Sequence, residues 1–157
     1  MDEHPSEIVR VLPDAVIERL NVLLVEDSPA EAKLFETALH EAAPRATLYW
    51  VATAKEGIEY LHQEGRFQGV GPVSIVICDL NMPGTNGFDF AAQMKKDPAL
   101  MPIPLIVYSG SQAPPDVQRA YSLGVNSYLV KPMTRETTFQ QVESLVRYWF
   151  ETVKLAQ

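Results

Sequence analysis

Short apolar segments alternate with amphipathic segments along most of this chain, and this alternation limits the possible folds more than any other feature. Two aliphatic runs, Val22–Val25 and Val73–Cys78, contain almost no polar residues and are too short for helices. Such runs are typical of strands buried on both faces of a parallel sheet. Further strands are predicted at residues 46–51, 103–108 and 126–130.

A helix is predicted after each of these strands. Ser28 and Thr53 are suitable N-caps, and Pro29 fits a first helical turn, where its missing N–H costs nothing. The predicted helices cover about residues 29–43, 53–62, 88–96, 115–123 and 134–153. Regular alternation of this kind predicts an α/β fold: a doubly wound, five-stranded parallel sheet with helices on both faces. In such sheets, ligands bind beyond the carboxyl ends of the strands.

Length and charge exclude several classes of protein. The 157 residues suit one domain, which we place at residues 21–157 with an extended C-terminal helix, preceded by an N-terminal arm at 1–20. The formal net charge of −7 argues against nucleic-acid binding. No apolar run approaches the roughly 20 residues of a membrane span, and the acidic start does not resemble a signal peptide. We therefore expect a cytoplasmic protein without membrane or nucleic-acid partners.

Polar residues follow four of the predicted strands. Glu26 and Asp27 follow the first strand, Asp79 the third, Ser109 the fourth and Lys131 the fifth. Three carboxylates at one edge of a sheet repel one another, and a divalent cation with oxygen ligands, Mg²⁺ above all, would keep them ionised. A lysine and a hydroxyl beside them suit a phosphoryl group. This set supports attack by a carboxylate on phosphorus.

Each of these residues also has an ordinary interpretation. The two acids after the first strand favour the start of a helix, Asp79 suits a turn, and Ser109 and Lys131 are common surface residues. Cys78 is interpreted as a small buried apolar residue, without a redox role. The occurrence of all the polar residues at successive strand ends favours a site.

From Val22 to Arg147 the chain resembles the receiver domain of two-component response regulators, a flavodoxin-like fold. The resemblance rests on an ordered set of motifs, one after each of several strands: Glu26-Asp27, Asp79, Asn81-Met82-Pro83, Gly87, Ser109-Gly110 and Lys131-Pro132. It implies that Asp79 is the phosphoacceptor. It also implies that Asp27 and Asp79 ligate Mg²⁺ directly, Asn81 through its backbone carbonyl, and Glu26 through water.

The resemblance assigns the remaining residues to phosphoryl binding and switching. Ser109 and Lys131 would hold the phosphoryl oxygens, and Gly110 would keep the approach to Asp79 open. Tyr128 occupies the position of the aromatic switch residue. The family also implies a cis peptide bond between Lys131 and Pro132, which aims the lysine at the site.

A narrower resemblance is to the small, stand-alone regulators of bacterial phytochromes. It rests on Gly65-Arg66-Phe67, Asn126–Leu129 and Tyr148–Val153. It implies a sensor histidine kinase, a bacteriophytochrome, as partner, and output by phosphorylation-dependent binding. An apolar stripe along the last helix, which we expect to be exposed at its end, further predicts a homodimer; it comprises Val142, Val146, Trp149, Phe150 and Val153.

Two alternatives from other classes remain open. One is a pseudo-receiver that binds partners without phosphorylation; the other is an aspartyl-phosphate phosphatase. Such phosphatases place a second acid two residues after the nucleophile, where this chain has Asn81. We therefore expect a phosphoacceptor signalling protein rather than an enzyme, with self-phosphotransfer and slow autodephosphorylation.

Overall fold

A computed structural model describes residues 20–82 and 85–156. The strands are β1 (Asn21–Val25), β2 (Thr47–Val51), β3 (Ile75–Cys78), β4 (Asn81–Met82), β5 (Thr85–Asn86), β6 (Leu105–Ser109) and β7 (Ser127–Val130). The helices are α1 (Pro29–Ala42), α2 (Ala54–Leu61), α3 (Gly87–Lys96), α4 (Pro114–Ser122) and α5 (Arg135–Val146), with a 3₁₀ turn at Gly65–Phe67 and a π-helix at Arg147–Thr152.

Five parallel strands form the main sheet in the order β2-β1-β3-β6-β7. This confirms the predicted doubly wound α/β fold. The direction of winding reverses between β1 and β3, so the ends of these two strands flank the crevice where such sheets bind ligands. The short antiparallel pair of β4 and β5 follows β3 and was not predicted.

Alternate residues of β1 enter two separate cores. Leu23 and Val25 pack on one face of the sheet with residues of α2, α3 and α4, whereas Val22 and Leu24 pack on the other with α1 and α5. None of the four is more than 1% exposed. This two-sided burial explains the unbroken aliphatic sequence of the strand.

The predicted N-caps are present at the helix starts. The Ser28 hydroxyl accepts a hydrogen bond from the Glu31 N–H at 3.3 Å, and the Thr53 hydroxyl accepts one from the Glu56 N–H at 3.1 Å. Each cap satisfies an N–H that has no partner within its helix. The caps therefore fix where α1 and α2 leave the carboxyl edge of the sheet.

The end of the chain differs from its prediction as one continuous helix. The α-helix ends at Val146, and a π-helix follows, in which the Val153 N–H donates to the Tyr148 carbonyl. Because a π-helix has a wider turn than an α-helix, the side chains after Val146 point in directions different from those predicted for a continuous α-helix. Trp149 and Phe150 are partly buried against the core of α1 and α5, so the expectation that they end an exposed stripe is wrong.

Two further sequence predictions concern the ends of the chain and the membrane. Residues 1–19, which make up most of the predicted arm, lie outside the described residues. Within residues 20–82 and 85–156, no helix has the length and apolar character to cross a membrane.

Candidate functional site

Glu26 and Asp79 lie side by side at the carboxyl ends of β1 and β3, and both are buried, with 2% and 5% of their surface exposed. The sheet holds their backbones directly: the Glu26 N–H donates to the Val51 carbonyl and the Asp79 N–H to the Val25 carbonyl, each at 3.0 Å. The indole N–H of Trp50 donates to the Glu26 carbonyl at 2.6 Å. Both acids are therefore fixed by the core strands.

Gly87 closes the space behind Asp79. A Cβ at this position would lie 2.3 Å from the Asp79 carbonyl oxygen and 2.6 Å from the Leu80 Cα. These are backbone atoms that cannot turn aside, so any larger residue would push the start of α3 away from the end of β3. The glycine in the sequence motif is thus required by close packing.

Lys131 supplies the positive charge of the site. Its Nζ lies 3.1 Å from a carboxylate oxygen of Glu26, 3.1 Å from one of Asp79 and 2.5 Å from one of Glu31. The lysine follows β7, far from β1 and β3 in the sequence, so only the fold brings these groups together. Its side chain is 13% exposed, which excludes the ordinary interpretation as a surface lysine.

The peptide bond between Lys131 and Pro132 is trans, since the described residues contain no cis peptide bond. The prediction of a cis bond is therefore wrong. The amine reaches the carboxylates from a trans backbone, and the trans form is the more stable one for most residues before proline.

Glu31 is the site residue that the sequence analysis missed. It occupies the first turn of α1, and its spacing from Ser28 is that of a capping box, in which a glutamate returns to the N-cap N–H. Here the Ser28 N–H instead donates to Glu26 at 3.2 Å, which leaves Glu31 free to bind Lys131. The spacing of Glu31 from Ser28 can be read in the sequence, but it gives no indication that Glu31 contacts Lys131.

The neighbouring charges of this cluster shift one another's pKa values. Burial raises the pKa of Glu26 to about 8, with a hydrogen bond to Glu31 and the charge of Asp79 acting in the same direction. That hydrogen bond from Glu26 lowers the pKa of Glu31. Burial alone would lower the pKa of Lys131, but Glu31, Asp79 and Glu26 outweigh it and the pKa lies above its usual value. Lys131 therefore stays charged, and burial beside Glu31 and Asp79 favours the protonated form of Glu26.

Ser109 approaches the cluster from the end of β6 and is completely buried. Its hydroxyl accepts hydrogen bonds from the Ser111 N–H at 3.2 Å and from the Asn81 side-chain amide at 3.4 Å. The Tyr128 hydroxyl donates to the Ser111 carbonyl at 2.9 Å. A hydrogen-bonded path thus connects the hydroxyl of the site to the predicted switch tyrosine.

The donor set fits a hard divalent cation. Glu26, Glu31 and Asp79 each offer a carboxylate oxygen, and these oxygens lie within 4.8 Å of one another. Asp27 is partly buried and lies outside this group, so its role as a direct ligand stays a prediction, as does that of the Asn81 carbonyl. All-oxygen sites of this kind select Mg²⁺ or Mn²⁺ over softer metals, and receiver domains bind these ions at an acidic site.

Comparison with known proteins agrees with this geometry. The response regulator receiver domain family matches residues 22–143, which include all four strand-end motifs. Response regulator Rcp1 of Synechocystis is 31% identical over 134 residues, covering 85% of this chain and 91% of Rcp1. Two solved structures match over 88% of this chain and 99% of theirs: the phosphorylated cyanobacterial phytochrome response regulator RcpA (TM-score 0.84, 31% identity) and the Mn²⁺-bound form of response regulator Rcp1 (TM-score 0.82, 30% identity). On this fold, this site and these similarities, the chain belongs to the response regulator receiver domain family.

Proposed function

We propose that this protein accepts a phosphoryl group on Asp79 from a sensor histidine kinase, in a reaction that requires Mg²⁺. The observation that carries the proposal is the surroundings of Asp79: a buried carboxylate at the switch point of the sheet, with a lysine amine at 3.1 Å. Such a carboxylate is held in place and electrostatically supported, which suits a nucleophile.

The chemistry follows from these neighbours. A carboxylate oxygen of Asp79 attacks phosphorus and forms an acyl phosphate, while the bond from phosphorus to the donor's imidazole nitrogen breaks and its electron pair stays on that nitrogen. Lys131 stabilises negative charge on the phosphoryl oxygens, and Ser109 donates a hydrogen bond to one of them. Glu26, Asp27, Asp79 and the Asn81 carbonyl would hold Mg²⁺, which, when bound, neutralises charge on the phosphoryl group.

The kinase we propose is a bacteriophytochrome. The support is the similarity to RcpA, described as a phytochrome response regulator, along nearly its whole length. Output would then be binding that depends on phosphorylation, in the cytoplasm, with slow loss of the phosphoryl group by hydrolysis at the same site.

The two alternatives are less well supported. A pseudo-receiver would not need Asp27, Asp79 and Lys131 together, and this chain has all three. In a phosphatase the residue two positions after Asp79 would exchange protons with the leaving group; this residue is Asn81, whose amide donates to Ser109. An amide cannot act as a general acid or base at neutral pH.

The test is incubation with acetyl phosphate and Mg²⁺, followed by intact mass spectrometry and by transfer from a phosphorylated phytochrome kinase. We expect one phosphoryl group on the wild type and none on Asp79→Asn. Asp89→Asn is the matched control, because Asp89 is an exposed acid on α3. Full labelling of Asp79→Asn would refute the assignment, and turnover without retained label would favour the phosphatase.

We also propose a homodimer that forms through the C-terminal helix. Since Trp149 and Phe150 are partly buried against their own core, the most exposed of these three aromatic side chains is Tyr148, at 53%. Light scattering on the wild type and Tyr148→Ala tests this. A concentration-independent monomer in the wild type, with and without phosphodonor, would contradict it.

A further inference from the structure

Lys131 contacts three carboxylates, but the phosphoryl chemistry proposed above uses only two of them. We propose that the third, Glu31, is a positioning residue that holds the Lys131 amine in the unphosphorylated protein and slows phosphorylation of Asp79. This inference rests on the proposed function and concerns a residue outside the receiver motifs of this chain.

The three contacts differ in how readily they can be exchanged. The side chains of Glu26 and Asp79 are 2% and 6% exposed, so neither can leave the amine without moving a strand end. The side chain of Glu31 is 48% exposed, on the first turn of α1. Glu31 can therefore turn into solvent without disturbing the sheet, and it is the partner that Lys131 can exchange for a phosphoryl oxygen.

Local structure keeps Glu31 available for this contact. Its backbone N–H is satisfied by the Ser28 hydroxyl, and the Ser28 N–H is satisfied by Glu26. The Glu31 side chain is therefore not needed as a helix cap, and it extends to Lys131. The same carboxylate also lies at the open rim of the site, within 4.8 Å of the Asp79 and Glu26 oxygens.

Two consequences for phosphorylation follow. The Lys131 amine must release Glu31 before it can bind a phosphoryl oxygen. The ion pair is therefore lost on the way to the transition state, and this loss raises the barrier to phosphorylation. Removal of the contact should increase the rate of phosphorylation roughly two- to fivefold, the range expected for one partly exposed ion pair.

The experiment measures the second-order rate constant for acetyl phosphate at saturating Mg²⁺. In this reaction a carboxylate oxygen of Asp79 bonds to phosphorus, the bond from phosphorus to the acetyl oxygen breaks, and acetate leaves with the electron pair. The variants are Glu31→Gln, which keeps the size and removes the charge, and Glu31→Asp, which keeps the charge but is one methylene too short for Lys131. Glu36→Gln is the control, since Glu36 is an exposed glutamate on the same helix, paired with Lys33.

We expect Glu31→Gln and Glu31→Asp to react faster than the wild type and Glu36→Gln to match it. In NMR spectra of the metal-free protein, the Lys131 ammonium resonance should be visible in the wild type and broadened in both Glu31 variants. Equal rates in Glu31→Gln and wild type would overturn the role of Glu31. A wild-type rate in Glu31→Asp would also overturn it. The negative charge at position 31 would then slow phosphorylation without a direct contact to Lys131. An unlabelled wild type would instead overturn the proposed function.

Discussion

The two sides of the site are built from different kinds of contact. On the acidic side, formed by Glu26, Asp79 and Gly87, buried acids share one ammonium group and there is no space for an added Cβ behind Asp79. On the hydroxyl side, formed by Ser109, Gly110, Ser111 and Tyr128, neutral hydrogen bonds of 2.9 to 3.4 Å join Ser109 and Tyr128 to their neighbours, and the Ser111 hydroxyl donates to the Asp116 carboxylate at 2.5 Å. A Cβ added at Gly110 would meet nothing within 4 Å.

This difference indicates where a structural response can occur. Moving the acidic side would separate buried charges and distort the ends of two core strands, which costs several kcal/mol per broken pair. Neutral hydrogen bonds on the hydroxyl side contribute about 1 kcal/mol each and exchange readily. We therefore expect the acidic side to stay fixed during phosphorylation while the hydroxyl side rearranges.

The largest effect should come from removing the shared cation. Lys131→Ala leaves Glu26 and Asp79 without a positive partner, and we expect the free energy of unfolding of the metal-free protein to fall by about 3 kcal/mol. Mg²⁺ should still bind and should restore part of the stability, while the phosphorylated response is impaired. Urea unfolding with and without Mg²⁺ measures this.

Lys33→Ala is the control for this measurement, because Lys33 is an exposed lysine on α1 whose amine lies 3.7 Å from the exposed carboxylate of Glu36. It should change stability by less than about 0.5 kcal/mol. Equal stability of Lys131→Ala and wild type would mean that the lysine does not organise the acidic side.

A pair of glycine substitutions tests the difference in free space directly. Gly87→Ala should destabilise the protein by about 2 kcal/mol, because the new Cβ meets the backbone of Asp79 and Leu80. Gly110→Ala should cost less than about 0.5 kcal/mol, since its Cβ enters open space. Thermal unfolding of both variants measures the difference. Equal losses would contradict the proposed contrast between the two sides.

The pH dependence of stability tests the coupling of the acids. The pKa of Glu26 is about 8 in the folded protein and 4.5 for an ordinary glutamate, so between these values the folded state binds more protons than the unfolded state. Its stability contribution is complete below about pH 4.5 and is lost as the pH rises towards 8. We expect a total loss of about 1 kcal/mol across this window. An isolated group would lose about 1.36 kcal/mol for each pKa unit of its shift, and the loss is smaller here because the half-exposed Glu31 can turn away from Glu26.

Glu26→Gln is the reference for this measurement in metal-free protein. Since it cannot titrate, its free energy of unfolding should lack the component that falls between about pH 5 and 8. Parallel pH profiles for wild type and Glu26→Gln would show that Glu26 does not carry the proton.

Much of this arrangement could be predicted from the sequence, because it depends on local patterns. The aliphatic run of β1 and the caps at Ser28 and Thr53 specify their elements directly, and α1, predicted at 29–43, is found at Pro29–Ala42. The fold then brings Glu26, Asp79, Ser109 and Lys131 to one edge. These parts need only periodicity, turn chemistry and the rules of parallel sheets.

The parts that were missed depend on competition between nearby groups. The partner of Glu31 was not predictable because it depends on Glu26 occupying the Ser28 N–H. The π-helix was not predictable because the periodicity across Tyr148-Trp149-Phe150 fits an α-helix equally well. In the structure, Trp149 and Phe150 are partly buried against the core that includes α1 and α5. In each case the outcome depends on three-dimensional neighbours rather than on spacing.

A further small effect is expected on the hydroxyl side, at Tyr128. Tyr128→Phe removes the hydrogen bond to the Ser111 carbonyl, and we expect the free energy of unfolding to fall by about 0.5 to 1 kcal/mol. Because that bond connects the segment after β6 to β7, its loss should mainly loosen residues 111–116 and leave β3 unchanged. Amide hydrogen exchange should therefore become faster in residues 111–116 and stay the same in β3.

Tyr148→Phe is the matched control, since the Tyr148 ring packs against Trp149 on the C-terminal π-helix and is exposed. It should alter exchange in neither segment. Faster exchange in β3 of Tyr128→Phe would show that the acidic side moves with the hydroxyl side, because opening at Ser111 would then reach Asp79. Unchanged exchange throughout Tyr128→Phe would show that the tyrosine hydroxyl does not hold the segment after β6, and that movement of Ser109 is restrained by Ser111 and Asn81 alone.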